Sequence, residues 1–397
     1  MLKLAYIVST FPKASETFVY REVLSLQAMQ LNPELFACSP PGKLDSSKFT
    51  KQLTDLQDET FYLDPKKSFK AALLHPLLTL KIASRAFALQ KKAAGNPNKY
   101  LIAARAVLLA VQLKKKSITH LHAHWPYSTI IGYLATRLYK CNYSVSIHAH
   151  EVAHENGHFS TIFPSLSFAS FCNQAAMDYL LNSMKDESAG KKSHLIYHGV
   201  NVDQFSYLPF KPVENGRINI ISAGRLTKTK GFDRLITACA EAKKQNINIF
   251  LTILGAGTEE QSMRELATKL DFTDNLDIAG WVPHDKVKSY MENTHLFALL
   301  ADTTYHDGLP NVVLESMASG KPVIISPLPA AKEAVTHGKD GFILRDANDI
   351  QGFIECLLYL QENDGELEKM GKIARESIVA EHADNIHLKK MVDLFEQ

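Results

Sequence analysis

From end to end the chain alternates short apolar runs of strand length with longer segments of helical period, the pattern of βα units that feed parallel sheets. Residues 2–9 read as a first buried strand, and Ser15-Glu16-Thr17-Phe18 opens an amphipathic helix that runs to about Met29. Residues 68–116 read as almost wholly helical with a break at 94–98, and 118–124, 143–148 and 193–197 read as further strands. A Pro/Lys/Glu/Asn/Gly stretch at 207–217 reads as a linker. A second series follows it: strand 218–222, helix 231–244, strand 249–254, helix 258–270, strands 276–279 and 296–300, and helix 310–319. The expected architecture is α/β, with two doubly wound domains at residues 1–206 and 217–380 and a last helix, about 381–397, crossing back to the first. Open parallel sheets take ligands at the carboxyl ends of their strands, so a ligand is expected in the crevice between the domains.

Composition removes other classes. A chain of 397 residues, 46% hydrophobic and 22% charged, is globular rather than disordered or fibrous. Five cysteines, an odd number without a C-x-x-C pair, exclude zinc ribbons and disulfide scaffolds and suit a reducing compartment. The apolar N-terminus is too short for a secretory signal, and no run approaches the roughly 18–20 apolar residues of a spanning helix. The expected location is cytoplasmic, or peripheral on the inner face of the plasma membrane. The net charge of +2 hides a polarity: residues 1–200 carry 23 Lys+Arg against 13 Asp+Glu, and residues 201–397 carry 21 against 29. Between Pro65 and His150 there are 14 Lys/Arg and no acidic residue. That block points to an anionic membrane surface; without an RNA or DNA motif beside it, nucleic acid is not an expected partner.

The most informative segment is Asp307-Gly308-Leu309-Pro310-Asn311-x3-Glu315-Ser-Met-Ala-Ser-Gly320-Lys-Pro-Val. With Pro310 as the first residue of a helix and Gly320 as its stop, the free N–H groups around Leu309–Val312 form an anion site. Asp307 just before the helix and Glu315 inside it can hold the hydroxyls of a sugar and a ribose. A second element, Gly224-Arg225-Leu-Thr-Lys-Thr-Lys230-Gly231, follows a strand and precedes a helix, where a leaving pyrophosphate needs cations. No D-x-D metal cluster is evident, so Arg225 and Lys230 take the metal's role.

Together these segments, with Glu333-Ala-Val-x-His-Gly-Lys-Asp-Gly-Phe, resemble the donor domain of the family 4 retaining glycosyltransferases of GT-B fold, over about residues 218–345. The resemblance implies that Arg225 and Lys230 neutralise the nucleotide diphosphate, Glu315 binds the ribose and Asp307 meets the donor sugar. Asp307 stands where the family has glutamate, one methylene longer, which points to a different sugar contact. Phe11-Pro-Lys-Ala-Ser-Glu-Thr-Phe resembles the opening of the family's exopolysaccharide branch, related to colanic acid transferases, although the family's commoner glycine pair is absent.

Ser15 reads equally as helix N-cap, with Glu16 in the first turn, and as an acceptor contact, and Thr17 belongs to the same acceptor side. Seven of the 16 histidines fall between His120 and His158. His120, His122 and His124 alternate along a strand and share a face; their spacing suits zinc, but no carboxylate within the acid-free block completes a ligand set. The family's strand-ending histidine at the reaction centre matches His148, with His150 and Glu151 adjoining on the acceptor side. The expectation is a metal-independent, retaining transferase without cofactor, moving a hexose from a nucleoside-diphosphate sugar, UDP favoured over GDP, to a saccharide or lipid-linked saccharide in bacterial-type surface polysaccharide synthesis. The alternatives are a GT-B nucleotide-sugar epimerase or phosphorylase, and a non-catalytic nucleotide-sugar-binding subunit.

Overall fold

The computed structural model describes all residues except 1, 14–15, 44–49, 91–97, 150–151, 153–155, 185–186, 304–307 and 364. The chain divides into two compact units, residues 1–197 with 388–397, and residues 198–387. Each is built on one parallel sheet.

In the first unit the strands are β1 (Leu4–Thr10), β2 (Glu34–Ser39), β3 (Phe61–Tyr62), β4 (His120–His124), β5 (Asn142–Ile147), β6 (Phe168–Phe171) and β7 (Ser193–Leu195), in the order β3-β2-β1-β4-β5-β6-β7. Chain order reverses between β1 and β4, so the loops that follow these two strands part and leave a crevice at their carboxyl ends. Helix Lys99–Lys116 covers one face with Ile102, Ala106, Leu109 and Leu113. On the other face Met391, Val392 and Phe395 of the last helix, Asp384–Glu396, pack with Tyr6 and Phe168. Being covered on both faces is why β1 reads as a nearly continuous apolar run, whereas β5 alternates, with Ser144 and Ser146 buried against His122 of β4. Arg105 of helix Lys99–Lys116 is buried and donates to the carbonyls of Cys38 (2.7 Å) and Leu63 (3.0 Å) and to the Tyr127 hydroxyl (2.9 Å). Among the described residues no carboxylate pairs with it. Burial pushes the Cys38, Cys141 and Cys356 thiols up to about 12, so they are protonated and inert at neutral pH.

The second unit orders its strands β10 (Leu276–Gly280), β9 (Ile249–Leu254), β8 (Ile218–Ala223), β11 (Leu296–Leu299), β12 (Val323–Ile325) and β13 (Gly341–Ile343), and here the reversal lies between β8 and β11. It begins at His198, earlier than the expected boundary at 206–217. Phe205 is fully buried in this unit's core, the Arg375 guanidinium donates to the carbonyls of Val202, Phe205 and Ala318, and the Leu208 N–H donates to the Ser319 carbonyl. Polar composition marked 207–217 as a linker, and these bonds instead tie its start to the second unit. Among the described residues no single helix is long and apolar enough to cross a membrane.

Candidate functional site

In the second unit the two motif segments follow β8 and β11, the neighbouring strands at the point of reversal. After β8 the backbone turns through a short 3-10 segment at Lys228–Lys230 and enters helix Phe232–Lys244 at Gly231. Gly231 has φ of +65°, and a Cβ there would lie 1.9 Å from the Leu300 carbonyl oxygen. Only glycine permits both the left-handed backbone and this approach. The loops are also bonded directly, the Asp302 N–H donating to the Thr229 carbonyl at 2.8 Å. Arg225 is exposed on this turn, the adjacent Leu226 anchors it in the core, and Lys230 is half-buried. A third loop, Gly255-Ala-Gly257 after β9, supports the turn: a Cβ on Gly257 would stand 2.2 Å from the Leu226 carbonyl oxygen.

Helix Asn311–Ala318 begins one residue later than expected. Pro310 occupies the N-cap position with ψ of 133°, Asn311 is the first helical residue, and the Val313 N–H bonds back to the Pro310 carbonyl at 2.9 Å. Proline's fixed φ suits either position, so sequence alone could not separate them. The amides of Asn311 and Val312 are in the first turn, where no carbonyl of the helix itself can accept them and where the helix dipole favours an anion. Gly308 and Leu309 lead into this turn, half-buried. Asp307 lies outside the described residues. Glu315 is buried inside the helix, and its Oε1 is 2.9 Å from Nε2 of His284. His284 was not singled out from the sequence; it follows Trp281-Val-Pro after β10, and a strand closed by Gly280 with a histidine at the next turn was the available signal. Lys321 of the same motif does not join the site: its Nζ donates to the Thr294 carbonyl at 2.8 Å, before β11 begins, and burial holds its ammonium down to about 8.

In the first unit the loops after β1, β4 and β5 carry a second cluster. Glu16 stands at the N-cap position of helix Thr17–Ala28, one residue before the first turn expected for it, and its side chain makes no capping bond. It accepts instead from the Lys13 ammonium (2.6 Å) and from the Trp125 indole N–H (2.9 Å). Thr17 is half-buried at the helix start. Trp125 follows β4 as the N-cap of helix Pro126–Leu138, with φ of +74° and ψ of 147°, a costly backbone for a bulky residue. Strain of this kind persists only where surrounding structure enforces it, and it concentrates at functional sites. The indole ring centroid lies 4.5 Å from that of His148, which directly follows β5, is buried, and also meets the Phe18 ring at 4.8 Å.

Behind His148 the β4 histidines do share one face. Nε2 of His148 is 3.3 Å from Nδ1 of His124, whose Nε2 stands 3.7 Å from the Glu22 carboxylate, an ion-pair distance rather than a hydrogen bond. The Tyr6 hydroxyl donates to that carboxylate, and burial followed by the charge of Glu22 holds the phenol well above its ordinary range. His122 uses both ring nitrogens on Ser144 (2.7 Å) and Ser146 (2.8 Å), so its one lone pair already accepts a serine hydroxyl. Burial, then His124 and His120, depress its pKa far below the usual value. Ser15, His150 and Glu151 lie outside the described residues.

Residues 206–377 match the family described as glycosyl transferases group 1. Over its whole length the chain is 23% identical to the amylovoran biosynthesis glycosyltransferase AmsK of Erwinia amylovora, with 100% of each covered. Among solved structures, HepE of Anabaena in complex with UDP superposes with a TM-score of 0.73 at 14% identity, covering 100% of both chains. Sucrose-phosphate synthase of Thermosynechococcus elongatus gives 0.73 at 14%, covering 100% of this chain and 98% of that one. The fold is that of the GT-B class, with two Rossmann-like units.

Proposed function

We propose that this chain, whose residues 206–377 match the group 1 glycosyl transferases, moves a hexose from a nucleoside-diphosphate sugar to a saccharide or lipid-linked saccharide with retention of anomeric configuration. The observation that carries the reading is the convergence at β8 and β11. Two cationic side chains on one loop and the amino end of a helix on the next belong to a crevice-forming pair of strands, and a buried carboxylate lies one helical turn further in. A diphosphate fits such a place, because backbone N–H groups and guanidinium forks bind its oxygens without metal.

As the bond between the sugar's anomeric carbon and the diphosphate breaks, negative charge grows on the departing oxygens. Arg225, Lys230 and the amides of Asn311 and Val312 stabilise that charge most where it is largest, in the transition state. Glu315, oriented by His284, accepts from the ribose hydroxyls. Asp307, next to Gly308 in sequence, is assigned to the donor sugar. The acceptor hydroxyl attacks the anomeric carbon from the leaving group's side, and its proton passes to a phosphate oxygen of the leaving diphosphate. His148, held between Trp125, Phe18 and His124, serves the reaction centre from the first unit, and Glu16, with Ser15, Thr17, His150 and Glu151, the acceptor. UDP is the favoured nucleotide, a choice supported by the HepE complex with UDP. The amylovoran relative supports a role in surface polysaccharide synthesis. The excess of basic residues in the first half of the chain supports a reaction at an anionic membrane face.

The test is incubation with a panel of nucleotide sugars with and without a saccharide acceptor, in EDTA. Nucleotide diphosphate released only when acceptor is present supports transfer; an interconverted sugar indicates an epimerase, and binding without turnover a donor-binding subunit. Arg225→Ala that keeps wild-type turnover and donor affinity would refute the phosphate assignment.

A further inference from the structure

Helices Pro65–Leu74 and Pro76–Gln90 meet at an angle of 116° and form an elbow on the first unit. Its inner side is ordinary core, with Ala71, Ile82, Ala86 and Leu89 buried against helix Lys99–Lys116 and its neighbours. Its outer side is not. Leu73 is 82% exposed, Leu77 81%, Leu80 76% and Leu74 67%, all around the bend. The bend is fixed rather than loose: the Thr79 hydroxyl donates to the carbonyls of Ala72 (3.0 Å) and His75 (3.1 Å), and Pro76 starts the second helix.

Single exposed leucines are unremarkable, but four on one knuckle form a patch that water does not tolerate without a partner. The surrounding charge says which partner. Lys66, Lys67, Lys70, Lys81 and Arg85 are exposed on the same two helices, which contain no acidic residue. At about 100° per residue, Leu77, Leu80 and Phe87 fall on one side of the second helix, Lys81 and Arg85 beside them, and Ile82, Ala86 and Leu89 on the core side. Apolar side chains outermost, with basic ones between them and the protein body, is the arrangement of a helix lying in a lipid interface, where lysine and arginine stems reach back to headgroups. Lys99 stands 4.3 Å from the Phe87 ring centroid and 5.2 Å from that of exposed Tyr100, adding an aromatic and basic rim of the kind found at headgroup level.

We infer that this elbow is a membrane-insertion device: Leu73, Leu74, Leu77 and Leu80 enter the acyl boundary of a bilayer while the lysines bind anionic headgroups. The inference rests on the proposed membrane-face reading and names the part that inserts. Basic charge alone gives a salt-labile attachment; the leucines add an apolar component that salt does not screen.

The experiment is flotation of the full chain with vesicles of phosphatidylcholine alone and of phosphatidylcholine mixed with phosphatidylglycerol, at low and high salt. A triple variant, Leu73→Ser with Leu77→Ser and Leu80→Ser, is compared with the wild type. Wild-type binding to the anionic vesicles and a loss of roughly tenfold per leucine removed, with the unfolding midpoint unchanged, supports insertion. Variant and wild type binding alike overturns the elbow and leaves membrane docking standing, whereas a wild type that floats with neither vesicle at low salt overturns docking itself. A wild type that self-associates without lipid, while the variant is monomeric, identifies a second copy as the occupant and overturns the inference. Leu77→Trp supplies an independent readout in a folded chain: its added emission shifts to the blue with anionic vesicles if the elbow inserts, and no shift refutes insertion.

Discussion

Acidification should destabilise the first unit, and His120 sets a calculable part of the loss. Its ring is buried between Phe168 and Phe395, with Nε2 2.7 Å from the Ser144 hydroxyl. Burial lowers its pKa from 6.5 to about 4. The folded value lies below the unfolded one, so below about pH 6.5 the unfolded chain binds the extra proton. Stability is therefore complete above that pH, falls as pH drops toward about 4, and loses no more from this residue below it. At about 1.4 kcal/mol per pH unit the full loss is about 3 kcal/mol, of which about 1.6 kcal/mol falls between pH 6.5 and pH 5. His122 acts in the same direction. The chain has two tryptophans, Trp125 in the first unit and Trp281 in the second, so Trp281→Phe leaves a fluorescent reporter for the first unit alone. Urea unfolding followed at Trp125 across this pH range gives the slope. In His120→Phe, whose new ring meets two aromatic neighbours, the drop between pH 6.5 and pH 5 should shrink by about 1.6 kcal/mol. An unchanged slope would refute the assignment of a neutral buried imidazole.

Three further outcomes are expected. Gly231→Ala should lower the stability of the second unit by at least about 2 kcal/mol, because a left-handed backbone strain adds to a clash with the Leu300 carbonyl; Trp281 fluorescence in urea measures it. His284→Ala leaves the Glu315 carboxylate without its imidazole partner at a cost of about 1–3 kcal/mol, read as weaker nucleotide binding by calorimetry, and His284→Gln, which keeps a donor, should recover part of it. Trp125→Phe keeps a ring beside His148 but removes the N–H to Glu16, so the acceptor KM should rise about fivefold, the equivalent of about 1 kcal/mol, with the donor KM unchanged.

The parts of the site that could be read from sequence are those whose chemistry is local. Arg225 and Lys230 stand between two glycines after an apolar run, and helix Asn311–Ala318 announces itself with Pro310 and Gly320 within eleven residues of each other. Strands β8, β9 and β11 were legible because burial on both faces leaves them mostly apolar, with only Asn219, Ser222 and Thr252 breaking the runs. The parts that escaped are held by contacts far apart in the chain. Glu22 sits inside an amphipathic helix and looks like a solvated face until β4 brings His124 to it. His284 lies on a different loop from Glu315, 31 residues away. Trp125 is one of two tryptophans and directly precedes a proline, yet its positive φ is imposed by the turn from β4 into helix Pro126–Leu138 and has no sequence signature. The linker failed for a related reason: polar composition describes the exposed side of 207–217 and says nothing of the backbone bond from Leu208 to Ser319.

The guanidinium of Arg105 adds a permanent source of potential to the first unit. Its acceptors, the Cys38 and Leu63 carbonyls and the Tyr127 hydroxyl, gather at the carboxyl-end side of the sheet, and all are neutral. Arginine cannot release its proton in a protein, and a charge held under the surface is poorly reached by dissolved ions. The field it sends out of that end therefore persists at any physiological pH, and at salt concentrations that would mute the surface lysines. An anionic group arriving there meets an attraction that rising ionic strength weakens less than it weakens the pull of an exposed lysine.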